Sequence, residues 1–70
     1  MTYDSKADAA YLTLVDSIGH REVATSSTLD LALENSAIVV DFDAAGRALG
    51  LEVLGASRVF LPAVLETVVR

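Results

Sequence analysis

The chain has 70 residues, five Lys or Arg against ten Asp or Glu, a net charge of −5, one His and no Cys. That is one domain over 1–70, with disulfides and thiolate metal sites excluded, and a single His is too few for an ordinary structural zinc. Nucleic-acid binding is set aside, because the five cations are scattered and phosphate neutralisation needs a basic footprint.

Hydrophobic residues make up 53% of the chain, yet so short a domain buries only about 60% of its unfolded surface. Small scaffolds close that gap with disulfides, metals or self-assembly, and only self-assembly is open to this one. A homo-oligomer, dimer or higher, is therefore expected. The longest stretches without a charge are seven residues (Ala9–Val15, Val23–Leu29, Val59–Leu65), against roughly 20 for a membrane helix. The polar start M-T-Y-D-S-K lacks the pattern of a secretory leader. The expectation is a cytoplasmic protein, with no membrane or nucleic acid among its partners. Its acidity suits a basic protein partner.

In chain order, Asp4 reads as an N-cap for one or two helical turns through Ala10, with Asp8 favoured by the helix dipole. Tyr11–Val15 turns to β-type residues, Leu12 and Leu14 on one face and Tyr11, Thr13 and Val15 on the other. Asp16–Gly19 is a turn. His20–Thr28 reads as an edge strand or an extended ribbon. Leu29, Leu31 and Leu33 fit either a short strand or a helical turn, and Glu34–Ser36 turns the chain again.

The stretch 37–54 is the centre of the sequence. Two apolar runs, Ala37–Phe42 and Ala48–Leu54, flank a joint holding Asp43 and Gly46. Asp43 suits the first position of a turn, and Gly46 the left-handed position that closes it. In the simplest register Phe42 faces Ala48, Val40 faces Gly50 and Ile38 faces Glu52. Asp41 with Leu49, Val39 with Leu51 and Ala37 with Val53 then form the other face. Both faces come out apolar, so each needs a cover, one of them a second subunit. After the joint Gly55–Arg58, Pro62 opens a C-terminal helix with a Leu61, Val64, Leu65, Val68, Val69 stripe, and Glu66 lies four before Arg70. The fold class is α+β: a small antiparallel sheet of about four strands with a helical turn before it and a helix after it.

The signature Y-D-x-x-A-D-A-x-Y-L, followed by V-D-F-D-x-x-G-R-x-L-G-L-E-V-L-G-A-S, resembles the small prokaryotic domain of unknown function numbered 2283. Tyr3, Asp4, Ala7, Asp8, Ala9 and Tyr11 carry the first half. Asp41, Asp43, Gly46, Gly50, Glu52, Val53, Leu54 and Ser57 carry the second. The resemblance implies a mixed α/β domain that assembles with itself. Some relatives sit beside small toxin-like proteins, which implies an antitoxin-like role in binding a partner.

Four residues are candidates for ligand binding: Glu52, Asp4, Asp8 and Tyr11. Glu52 falls in an apolar strand beside Ile38, Val40 and Phe42, where a carboxylate needs a partner or a proton. A structural bond to Arg47, Tyr3, Tyr11 or a backbone amide, within the chain or across a subunit interface, is preferred to acid–base chemistry. Asp4 and Asp8, four apart, share a helical face, which capping explains without chemistry. Tyr11 fits core or interface, its hydroxyl bonded. Asp41-x-Asp43-x-Ala45-Gly46-x5-Glu52 imitates a calcium loop, but Ala45 offers no oxygen, strands flank it, and the register separates Asp41 from Glu52. A lone His20 in a turn is ordinarily solvated. Ser57 lacks the second glycine of a nucleophile elbow and suits a helix cap. No phosphate loop or dinucleotide motif is present, so no metal, cofactor or catalytic residue is assigned. The reading is a self-assembling, partner-binding module. The alternative is a small-ligand binder or minor enzyme using Glu52 with Asp4, Asp8 or Tyr11 between subunits.

Overall fold

A computed structural model describes residues 1–16 and 22–67. Five strands form one antiparallel sheet: β1 (Thr2–Asp4), β2 (Ala9–Thr13), β3 (Thr25–Asp30), β4 (Ala37–Phe42) and β5 (Ala48–Leu54). Their spatial order is β1-β2-β5-β4-β3. Two short helices follow, α1 (Ala56–Val59) and α2 (Pro62–Glu66).

The expected N-terminal helical turn is instead a β-hairpin, which is why the sheet has five strands rather than about four. Asp4 does accept bonds from the amides of Lys6 (3.0 Å) and Ala7 (3.4 Å), but these close a turn between strands. Asp8, at φ 51°, ends that turn in a left-handed conformation. Alanine-rich helix propensity is a weak local preference. Pairing of Ala9–Thr13 with Leu54–Gly50 on β5 outweighs it.

The edge strand lies at Thr25–Asp30, later than the expected 20–28. It takes in Leu29; the chain from 31 to 36 is a turn, with Asn35 left-handed at φ 55°. His20 and most of the Asp16–Gly19 turn fall outside the described residues, as does Arg70 of the expected Glu66–Arg70 pair. The stretch Gly55–Arg58, expected as a joint, instead opens a helix, α1, ahead of the expected one, and Val68 and Val69 of the apolar stripe fall outside the described residues. Pro62 opens α2, where its missing N–H costs nothing. Leu65 from the apolar stripe is buried, whereas Leu61 is 74% exposed.

The central hairpin holds a correction with consequences. Phe42 pairs with Ala48 as expected, but Asp41 pairs with Gly50, so Leu49 is an additional residue in a bulge. Beyond it every pair moves by one: Val40 meets Leu51, Val39 meets Glu52 and Ile38 meets Val53. Because side chains alternate, a one-residue slip exchanges the faces. Glu52 therefore does not lie with Ile38, Val40 and Phe42, and the sheet is not apolar on both sides.

Following the pairs across all strands gives one apolar and one polar face. Ala10, Val53, Ile38 and Leu29 form one apolar row; Leu12, Leu51 and Val40 form the next, which ends on Ser27 at the β3 edge. Tyr11, Glu52, Val39 and Thr28 form a row of the polar face, Thr13, Gly50, Asp41 and Ser26 the row on one side of it, and Asp4, Ala9, Leu54, Ala37 and Asp30 the more apolar row on the other. The helices lie over one end of the apolar face. Ala10, Val53, Ala56 and Leu65 make the core, with Tyr3, Ile38, Val59 and Phe60 against it.

Candidate functional site

The four candidate residues do not converge on one site. Asp8 works at the junction of the first hairpin and α1. Its carboxylate accepts bonds from the Tyr3 hydroxyl (2.7 Å), the Ser57 amide (2.9 Å) and the Ser57 hydroxyl (2.7 Å). Its backbone carbonyl accepts the amide of Ala56 at 2.9 Å. Asp8 thus satisfies the first two free amides of a helix far away in sequence, a cap supplied from another element. Ser57, read as a cap, is itself capped. The Ser57 hydroxyl, then the Tyr3 hydroxyl, hold the Asp8 carboxyl below its usual range. Asp4 and Asp8 do not share a helical face: Asp4 binds the turn amides, Asp8 the helix.

The second cluster lies on the polar face. The Tyr11 hydroxyl donates to Asp41 Oδ2 at 2.7 Å, and the Ser26 hydroxyl donates to Asp41 Oδ1 at 2.6 Å. Three strands are thereby tied through one carboxylate: β2, β3 and β4. Glu52 is paired across the strands with Tyr11 on one side and Val39 on the other. It bonds neither Arg47 nor Tyr3. Asp41 and Glu52, placed on opposite faces by the simple register, share this one. Among the described residues no cluster of three His, Cys, Asp or Glu has the geometry to hold a metal ion.

At the β4–β5 turn, Asp43 Oδ1 accepts the amides of Ala45 and Arg47, both at 2.9 Å, and Oδ2 meets Arg47 Nε at 3.0 Å. Gly46 sits at φ 81°. The Arg47 amide leads the bonds that hold the Asp43 carboxyl below its usual range.

Burial raises the Tyr11 phenol to about 12 from 10.0; the Asp41 bond and the Asp41 and Glu52 charges add to it. The folded state therefore favours the neutral phenol. Its contribution to stability is complete below the unfolded value of 10.0 and is lost as pH rises through about 12. NMR titration of isotope-labelled tyrosine rings is expected to show Tyr11 still neutral where an exposed phenol has ionised. A midpoint at the ordinary value would count against the Tyr11–Asp41 bond.

Reading the residues alone missed two things: Asp8 bridging to Ser57, and Ser26 joining Tyr11 on Asp41. The first was unreachable because the partners lie at opposite ends of the chain. The second depended on the bulge. No curated protein and no solved structure matches the chain. A family model described as a protein of unknown function, DUF2283, matches residues 1–57, a span that holds all five strands, both hydrogen-bonded clusters and the start of α1, and the chain belongs to that family.

Proposed function

We propose that this chain is a non-enzymatic assembly module. A second copy covers the open end of its apolar face, and its polar face is left for a basic protein partner, an antitoxin-like role. The observation that carries this is the thinness of the core. Among the described residues no large side chain is completely buried, while Leu12 is 40%, Leu14 51% and Leu29 59% exposed. Leu12 and Leu29 stand on the same face and are not among the residues clustered with α1 and α2. A single-chain domain with so little buried is marginal, and a second copy is the device left to it.

The strands hold four acidic residues, Asp4, Asp30, Asp41 and Glu52, and no Lys or Arg. All four fall on the polar face by register. That supports a basic partner through charge complementarity, which sets encounter rate and specificity more than affinity. Use of Glu52 with Asp4, Asp8 and Tyr11 as an active site loses support. Asp4 and Asp8 are engaged at the first turn, and the Tyr11 hydroxyl is given to Asp41.

The test is light scattering at micromolar concentration on the unaltered chain and on Leu12→Glu, with circular dichroism to check the fold. The unaltered chain is expected to exceed one subunit, and the variant to lose mass and, with it, to unfold at a lower temperature than the unaltered chain. A folded, unaltered monomer would overturn the reading.

A further inference from the structure

The sheet ends on two unlike edges. β1 is three residues long, and shortness is itself protection against unwanted pairing. β3 is six residues long, exposed throughout, and contains no proline or lysine. Of the usual devices that blunt an edge it has one charge, Asp30, at its end. The Leu31 amide donates to the Ser36 carbonyl at 3.3 Å. Carried back in steps of two along the register, that bond turns the backbone groups of Leu29, Ser27 and Thr25 toward β4. Those of Ser26, Thr28 and Asp30 face outward.

We infer that β3 pairs antiparallel with β3 of a second copy, across a two-fold axis at Thr28. In that register Thr28 meets the partner's Thr28, and Ser26 meets the partner's Asp30. All three outward residues find main-chain partners. The only charge on the strand faces a hydroxyl, not another carboxylate. Moving the axis to Ser26 would instead set Asp30 against the partner's Glu22, and like charges directly opposite are unfavourable. An axis normal to the sheet keeps both apolar faces on one side, so Leu29 and the partner's Leu29 flank the axis. The self-complementary pattern favours a second copy over a foreign strand. This contact is separate from the face contact proposed above and goes beyond it.

The experiment compares the unaltered chain, Leu12→Glu and Thr28→Lys by light scattering, with amide hydrogen exchange on the unaltered chain. Thr28 is exposed, so lysine there sets like charges across the axis without touching the core. Each variant is expected to halve the mass. The amides of Ser26, Thr28 and Asp30 are expected to be protected by at least about tenfold, with protection fading on dilution. Unprotected edge amides at every concentration, with Thr28→Lys unchanged in mass, would overturn edge pairing. So would protection that requires a different protein. If the face contact alone is wrong, Leu12→Glu keeps the mass of the unaltered chain while Thr28→Lys falls to a single subunit.

Discussion

Replacing Gly55 with alanine is expected to destabilise the fold by about 2–4 kcal/mol, from left-handed strain of about 1–2 kcal/mol and a steric collision. Gly55 joins β5 to α1 at φ 69°, a conformation that side chains rarely adopt. A Cβ there would lie 2.6 Å from the Asn35 carbonyl oxygen and 2.5 Å from Ser36 Oγ. The first of these is backbone and cannot swing away. Ser36 is itself 7% exposed, so it has little room to retreat. Gly46 is the internal comparison: its φ is 81°, but nothing lies within 4 Å of the Cβ position. Gly46→Ala is therefore expected to cost only the strain, about 1–2 kcal/mol. Chemical denaturation of both variants separates the two contributions. Equal costs would mean that the Gly55 contact relaxes freely.

The second large effect is expected at Gly50, where alanine should cost about 1–3 kcal/mol by displacing Tyr11. A Cβ on Gly50 would stand 2.5 Å from the Tyr11 hydroxyl, 2.8 Å from Cζ and 2.9 Å from Cε1. Gly50 is flanked across the strands by Thr13 and Asp41, and the ring of Tyr11 crosses its open position to reach Asp41. Alanine would lift the ring and break the 2.7 Å bond to that carboxylate. A double-mutant cycle tests this link. In a Tyr11→Ala background the Gly50→Ala cost is expected to shrink sharply, because the two residues act through one contact. Additive costs would contradict the packing of the ring on Gly50.

These two glycines show what the sequence can and cannot disclose. The hairpin at 37–54 and its turn were legible, because Asp43 and Gly46 are residue types with a mechanical reason to be there. Leu49 was not. It is apolar between apolar neighbours, so A-L-G-L-E-V-L satisfies either register equally well, and nothing local marks the bulge. That single additional residue decides the face of Glu52. With it falls the idea of a sheet that is apolar on both sides. The N-terminal hairpin failed for a related reason: Ala7, Ala9 and Ala10 favour helix locally, and only pairing with β5 makes them strand. Asp4 binds the amides two and three residues on, as an N-cap would, but in a turn between strands. Of the candidate site, Tyr11 was legible as a bonded phenol. Its tie to Asp41 and Ser26 joins residues that only the sheet brings together.

The bulged register removes the two-sided argument for assembly and leaves a one-sided one. With one polar face, only one face needs a cover, and the helices span part of it. Leu12 and Leu29 stay exposed beside a core whose buried hydrophobic residues are Ala10, Leu49, Val53, Ala56 and Leu65. Association stabilises a folded state by mass action, so such a chain gains most where its own core contributes least. Sedimentation equilibrium of the unaltered chain tests this most directly. The expected result is a folded species heavier than one subunit at micromolar concentration, dissociating on dilution with loss of structure. A single subunit that stays folded at every concentration would contradict it.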